Sequence, residues 1–140
     1  MSNEDTIVRA QLAATVSARD VHGPIPRRQA VATICHAIES AAKLPGALDG
    51  AEDEVCRRLT VIGECAFYEL RAGHVPRDIL IQRIKSLPHD QQIAYSLRLE
   101  HGMSDWQIAE TLNITEDAVV ALVLRALMAL NGVSDDSPGP

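Results

Sequence analysis

Aromatic side chains are scarce: one Trp, two Tyr and one Phe make up 3% of the 140 residues. A core built almost without rings has to be aliphatic and rich in Ala, which suits closely packed helices. The apolar share of 46% is enough to fold one domain, or two small ones. Cysteine is scarce as well. Cys35, Cys56 and Cys65 are odd in number and lack C-x-x-C spacing, which argues against a disulfide framework or a zinc site and for reduced thiols in a cytoplasmic protein. No apolar run approaches the roughly 18 residues of a membrane span. The opening "MSNEDTIVRAQLAATVSARD" has no basic segment leading into an apolar one, so no signal peptide is expected. No stretch alternates with period two and none repeats. What remains is an all-α chain.

Basic charge is missing from one part in particular. Met1 to Lys85 carries 11 basic and 11 acidic residues. From Ser86 onward there are two basic residues, Arg98 and Arg125, against eight acidic ones, so the whole formal charge of −6 falls there.

The helical pattern divides the chain. Residues 1–22 are polar with a short apolar stripe (Ile7, Val8, Leu12, Val16), which reads as an N-terminal arm or weak helix. "HGPIP" at His22–Pro26 is a break. Residues 23–85 form an N-terminal helical part. In it Ala30, Ile34, Ala37/Ile38 and Ala41 repeat at helical spacing, as do Val55, Leu59, Ile62, Ala66 and Leu70. Glu52, Asp53 and Glu54 suit the start of a helix, and Gly73 suits its end. "VPRDILIQRIKSL" is a short helix opened by Pro76, and "PHDQQIAYSLRLEHG" is another. Residues 132–140, "GVSDDSPGP", have the composition of a disordered tail.

Residues 86–131 carry the most specific pattern. Ser104 with Gln107 is an S-x-x-Q capping box, so a helix starts at Asp105. Ile108 and Leu112 form its inner face, and Ala109 is small enough for a second helix to cross closely. Asn113 tolerates the left-handed backbone of a tight turn. Thr115 can cap the next helix, with Glu116 and Asp117 in its first turn. Val119, Leu122 and Ala126 would pack back on Ile108 and Leu112.

Leu87-Pro88, the Ile93/Leu97 face, Gly102, Ser104, Ile108-Ala109, Leu112, Ile114, Val119 and Arg125-Ala126 together resemble region 4 of sigma-70 family factors, and more distantly LuxR-type helix-turn-helix domains. The resemblance covers about a third of the chain. It implies a helical bundle ending in a helix-turn-helix, a bacterial cytoplasmic protein, transcription regulation, and contacts with DNA or RNA polymerase. The N-terminal part has no aromatic-and-basic segment like the family's promoter-melting region, so the chain is not an ordinary complete sigma factor.

The chain departs from the family where DNA chemistry is needed. The family usually has Thr or Ser at the place of Ala118, Lys at Val120, and polar or basic residues at Ala121, Leu122 and Leu124. It has basic residues near Leu127, Met128 and Ala129. Here all are apolar. Base readout needs donors and acceptors on the exposed face of this helix, and affinity needs Lys and Arg against phosphates. The helix offers Arg125, with Glu116 and Asp117 at the end that should approach DNA. Thr115, Glu116, Ala118, Val120, Ala121, Leu124, Arg125, Leu127 and Met128 are therefore expected to form a recognition or partner surface. A helix apolar all round needs a second cover. The chain's own N-terminal helices, a homodimer seam or a groove-bound partner would each supply it.

Other candidates are weaker. Arg27, Arg28, Arg57 and Arg58 are possible basic contacts. Cysteine and histidine spacing supports no metal ligand set, and no glycine pattern cradles a phosphate. Asp53-Glu54 and Asp135-Asp136 suit a solvated helix start and a solvated tail better than catalytic pairs. Trp106 is expected to pack. The sequence points to no cofactor and no enzyme. It points to a protein partner (RNA polymerase, a sigma or anti-sigma factor, or another regulator), a possible homodimer, weak DNA binding and no membrane.

Overall fold

The computed structural model describes residues 3–18 and 23–133. They form seven α-helices and no strand, which makes the chain all-α. Two compact units divide at Arg71–Ala72. The helical pattern alone suggested a boundary after Lys85 instead.

The first unit holds α1 (Asn3–Ala18), α2 (Arg27–Ala42) and α3 (Glu52–Ala72). The described part of the expected arm is thus a helix of 16 residues. Its sidedness reverses most of what the apolar pattern suggests, with Ile7 alone of the stripe half-buried. Thr6, Ala10, Ala14 and Ala18 are buried, one per turn, while Val8, Leu12 and Val16 are 50%, 61% and 61% exposed. Small side chains on the contact face let α1 lie close to α2, since helix separation follows the size of the residues at the contact. Polar contacts reinforce the packing: Thr6 Oγ1 donates to Glu52 (3.2 Å), and Ser17 Oγ donates to Glu64 (2.6 Å).

Helices α2 and α3 meet through larger groups. Ile34 and Ile38 are fully buried, and a Cβ on Gly63 would come within 2.7 Å of Ile38. The close approach therefore requires glycine. The stripe expected on α3 is displaced: Val55 and Leu59 are buried, but Ile62, Ala66 and Leu70 are half-buried, and Cys65, Phe67 and Tyr68 take their places. Phe67 and Tyr68 meet edge to face with ring centroids 5.1 Å apart.

The second unit holds α4 (Arg77–Lys85), α5 (His89–Tyr95), α6 (Asp105–Leu112) and α7 (Glu116–Leu130). A π-helical segment, Ser96–Glu100, continues α5. Helix α7 touches α4, α5 and α6. Arg83 fixes α4 to the end of α7 by donating from Nη1 to the Leu130 carbonyl (2.8 Å). This contact explains why α4 belongs with the helices that follow it.

Of the expected tail, Gly132 and Val133 are described. Residues 134–140 and His22 of the Pro-Gly break lie outside the described residues.

Candidate interface of the helix-turn-helix

Local chemistry sets both helix starts. The Gln107 N–H donates to Ser104 Oγ (3.3 Å), and the Ser104 N–H donates to Gln107 Oε1 (3.0 Å), so the capping box of α6 is complete. Asn113 ends α6 at φ 57°, ψ 48°. The Ile114 N–H then reaches back to the Ala109 carbonyl at 3.0 Å, closing a Schellman-type turn. The Ala118 N–H donates to Thr115 Oγ1 (3.1 Å), which caps α7. Three backbone requirements of the motif are therefore met by the residues whose chemistry suits them.

The crossing of α6 and α7 is tight. Ile108 is fully buried and Ala109 is 8% exposed. From α7, Val119 and Ala126 are fully buried, and Leu122 is half-buried. Burial continues round the helix. Val120, Val123, Leu127 and Leu130 are buried, while Ala118, Ala121, Leu124, Met128 and Ala129 are half-buried. Only Glu116, Asp117 and Arg125 of α7 are exposed. The contacts of α7 with α4 and α5 account for an apolar surface on more than one side.

Of the surface expected on α7, Thr115, Glu116 and Arg125 reach solvent, but Val120 and Leu127 do not. The exposed groups are two carboxylates, a hydroxyl committed to a cap, and one guanidinium. Between Arg77 and Leu130 there are five basic and seven acidic residues. Arg98 is held by Asp105, its Nη1 donating to the carboxylate at the start of α6. Arg83 is committed to Leu130.

Trp106 departs from expectation. It is 55% exposed and stands on α6 one turn before exposed Glu110. Ile108 and Ala109 occupy the inner face of α6.

The sequence reading missed a cleft of about 380 Å³ within this unit. Ile84, Ile93 and Leu97 line it together with His89, Gln92 and Glu100. The π-helical segment forms one wall. There the His101 N–H bonds the Ser96 carbonyl at 3.1 Å, five residues back, and the Met103 N–H bonds that of Leu97 at 3.0 Å. Such turns recur at functional sites. Nothing local in "SLRLEHG" announces a π turn, because the residues are ordinary helix formers.

The basic candidates are not brought together. Arg27 and Arg28 open α2. Arg57 and Arg58 lie early on α3, beside the other end of α2, and Arg58 Nη1 is bonded to the Ala47 carbonyl at 3.3 Å. Among the described residues, no three His, Cys, Asp or Glu gather as a metal site would require. Burial, aided by Glu39, pushes the Cys35 thiol above its ordinary range, which disfavours the reactive thiolate. Among the described residues, no helix is long and apolar enough to cross a membrane.

Capped helices joined by a left-handed turn and crossing at a small residue define a helix-turn-helix domain. Residues 77–130 match the family model of sigma-70, region 4. This segment is a sigma region-4-like helix-turn-helix, and it carries a transcription-regulatory or DNA-binding type of fold. No curated protein and no solved structure matches the chain.

Proposed function

We propose that this protein is a cytoplasmic, non-catalytic transcription regulator whose sigma region-4-like domain works mainly through protein contacts. The supporting observation is the surface of α7. Its side chains expose two carboxylates and Arg125, and otherwise commit to the interior. Base edges require donors and acceptors, and phosphates require several cations. Glu116 and Asp117 would meet phosphates at the end of α7 that should lead into a groove. The apolar cleft between α4, α5 and the π-helical segment is a better seat for an apolar side chain or helix of a protein partner. RNA polymerase, a sigma or anti-sigma factor, or another regulator are the partner classes that the domain suggests.

The test is fluorescence anisotropy with labelled duplex DNA at physiological salt. Binding is expected to be no tighter than that of a non-specific binder, about 10⁻⁴ to 10⁻⁶ M. Capture from native lysate, with retained proteins and nucleic acids both analysed, is expected to yield protein. Sub-micromolar, sequence-selective DNA binding would overturn the reading. It would favour the alternative, a dimeric sequence-specific regulator, which draws support from the intact caps and turn.

A further inference from the structure

We infer that Trp106 and Glu110, on the outer face of α6, receive an arginine-bearing segment of a protein partner. The inference rests on the protein-contact reading of the domain and names the chemistry of one partner. Trp106 is the one Trp of the chain, and it is 55% exposed, whereas Phe67 and Tyr68 are buried. Local structure does not call for an indole at this place. Ser104 and Gln107 make the cap of α6, and Ile108 and Ala109 make its inner face. An exposed indole offers a large, rigid apolar area with little conformational entropy to lose. For that reason Trp is over-represented among the residues that dominate binding between proteins.

The charge around the ring selects the occupant. Glu110 is exposed and lies four residues after Trp106, so the two side chains are neighbours on one side of the helix. Asp105 is paired with Arg98. Across the turn at Asn113, α7 opens with exposed Glu116 and Asp117. Residues 105–124 hold no Lys, Arg or His, so the fixed charge of this stretch has one sign. A cation is drawn to the face of an indole. A guanidinium is also planar, so it can lie against the ring while donating to a carboxylate one helical turn away. Duplex DNA would bring phosphates to the same carboxylates and be repelled. An apolar segment would cover Glu110 and leave its charge without a partner.

A hexa-arginine peptide titrated against the full chain at physiological salt tests this. Binding is read by anisotropy of a fluorescein-labelled peptide and, with unlabelled peptide, by Trp emission. Saturable binding is expected, and the emission of Trp106 should change over the same concentrations, since the chain has no other Trp. Trp106→Ala and Glu110→Lys should each weaken binding by about 5-fold. Their circular dichroism melts should match the wild type, because both side chains are exposed. Glu4→Gln, on α1, should bind as the wild type does. Equal binding by the wild type and Trp106→Ala would overturn the inference, because net charge alone would then hold the peptide. Failure of the peptide to bind would overturn it too. If duplex DNA is equally weak in the same titration, the protein-contact reading stands and only this partner chemistry falls. Sub-micromolar, sequence-selective binding of duplex DNA would overturn both.

Discussion

Helices α1 and α7 are nearly equal in length, 16 and 15 residues, and opposite in use. Helix α1 buries Thr6, Ala10, Ala14 and Ala18 and exposes Val8, Leu12 and Val16, with Ile7 half-buried. Helix α7 buries Val119, Val120, Val123, Ala126, Leu127 and Leu130 and exposes almost nothing but its charged residues. A stripe of aliphatic residues at helical spacing was visible in both. The contrast teaches that such a stripe marks a helix but does not say which side the protein will use. That depends on how closely the neighbouring helix approaches. Where the contact is close, as with α1, alanine wins the inner face. Where three helices converge, as on α7, the larger side chains do.

The sharpest way to break this comparison is to place the same charge on both helices. Leu127→Lys puts an ammonium where the side chain is 1% exposed, and it should cost about 3–5 kcal/mol, as for a buried charge without a partner. Urea denaturation monitored by circular dichroism measures it. A cost near zero would show that the interior of α7 is open to water.

The α6–α7 crossing comes next. Ala109→Leu should destabilise by about 1–3 kcal/mol through overpacking. If its melting curve overlays that of the wild type, the two helices do not cross tightly at Ala109, and the helix-turn-helix geometry loses its basis.

The caps have a smaller effect. Thr115→Ala and Ser104→Ala each remove the acceptor for an N–H at a helix start, and each should cost about 1 kcal/mol. These bonds are independent of DNA, so the cost should be the same with or without duplex present. Thermal melts of both variants, with and without duplex, decide that point.

The smallest effect belongs to α1. Leu12→Lys lies on the outer stripe at 61% exposure and should shift stability by about 0.5 kcal/mol or less. Sedimentation should be unchanged as well. A large loss of stability, or a change of mass in solution, would reveal a covering partner and remove the asymmetry between the two helices.

What the sequence determined by itself is local. Ser104 with Gln107, Asn113 and Thr115 each act on backbone groups within a few residues, so their side-chain chemistry alone states the turn and the two helix starts. The scarcity of basic residues after Lys85 is likewise independent of folding, and it is the part of the proposal of weak DNA binding that needs no structure. The division between units, the exposure of Trp106, the outward stripe of α1 and the cleft beside the π-helical segment were decided only by the tertiary structure. Each depends on groups far apart in the chain, such as Arg83 with Leu130 or Gly63 with Ile38. A periodic pattern carries no record of the distance at which the next helix will pack. Only the assembled core decides that distance, and with it which face of each helix remains for a partner.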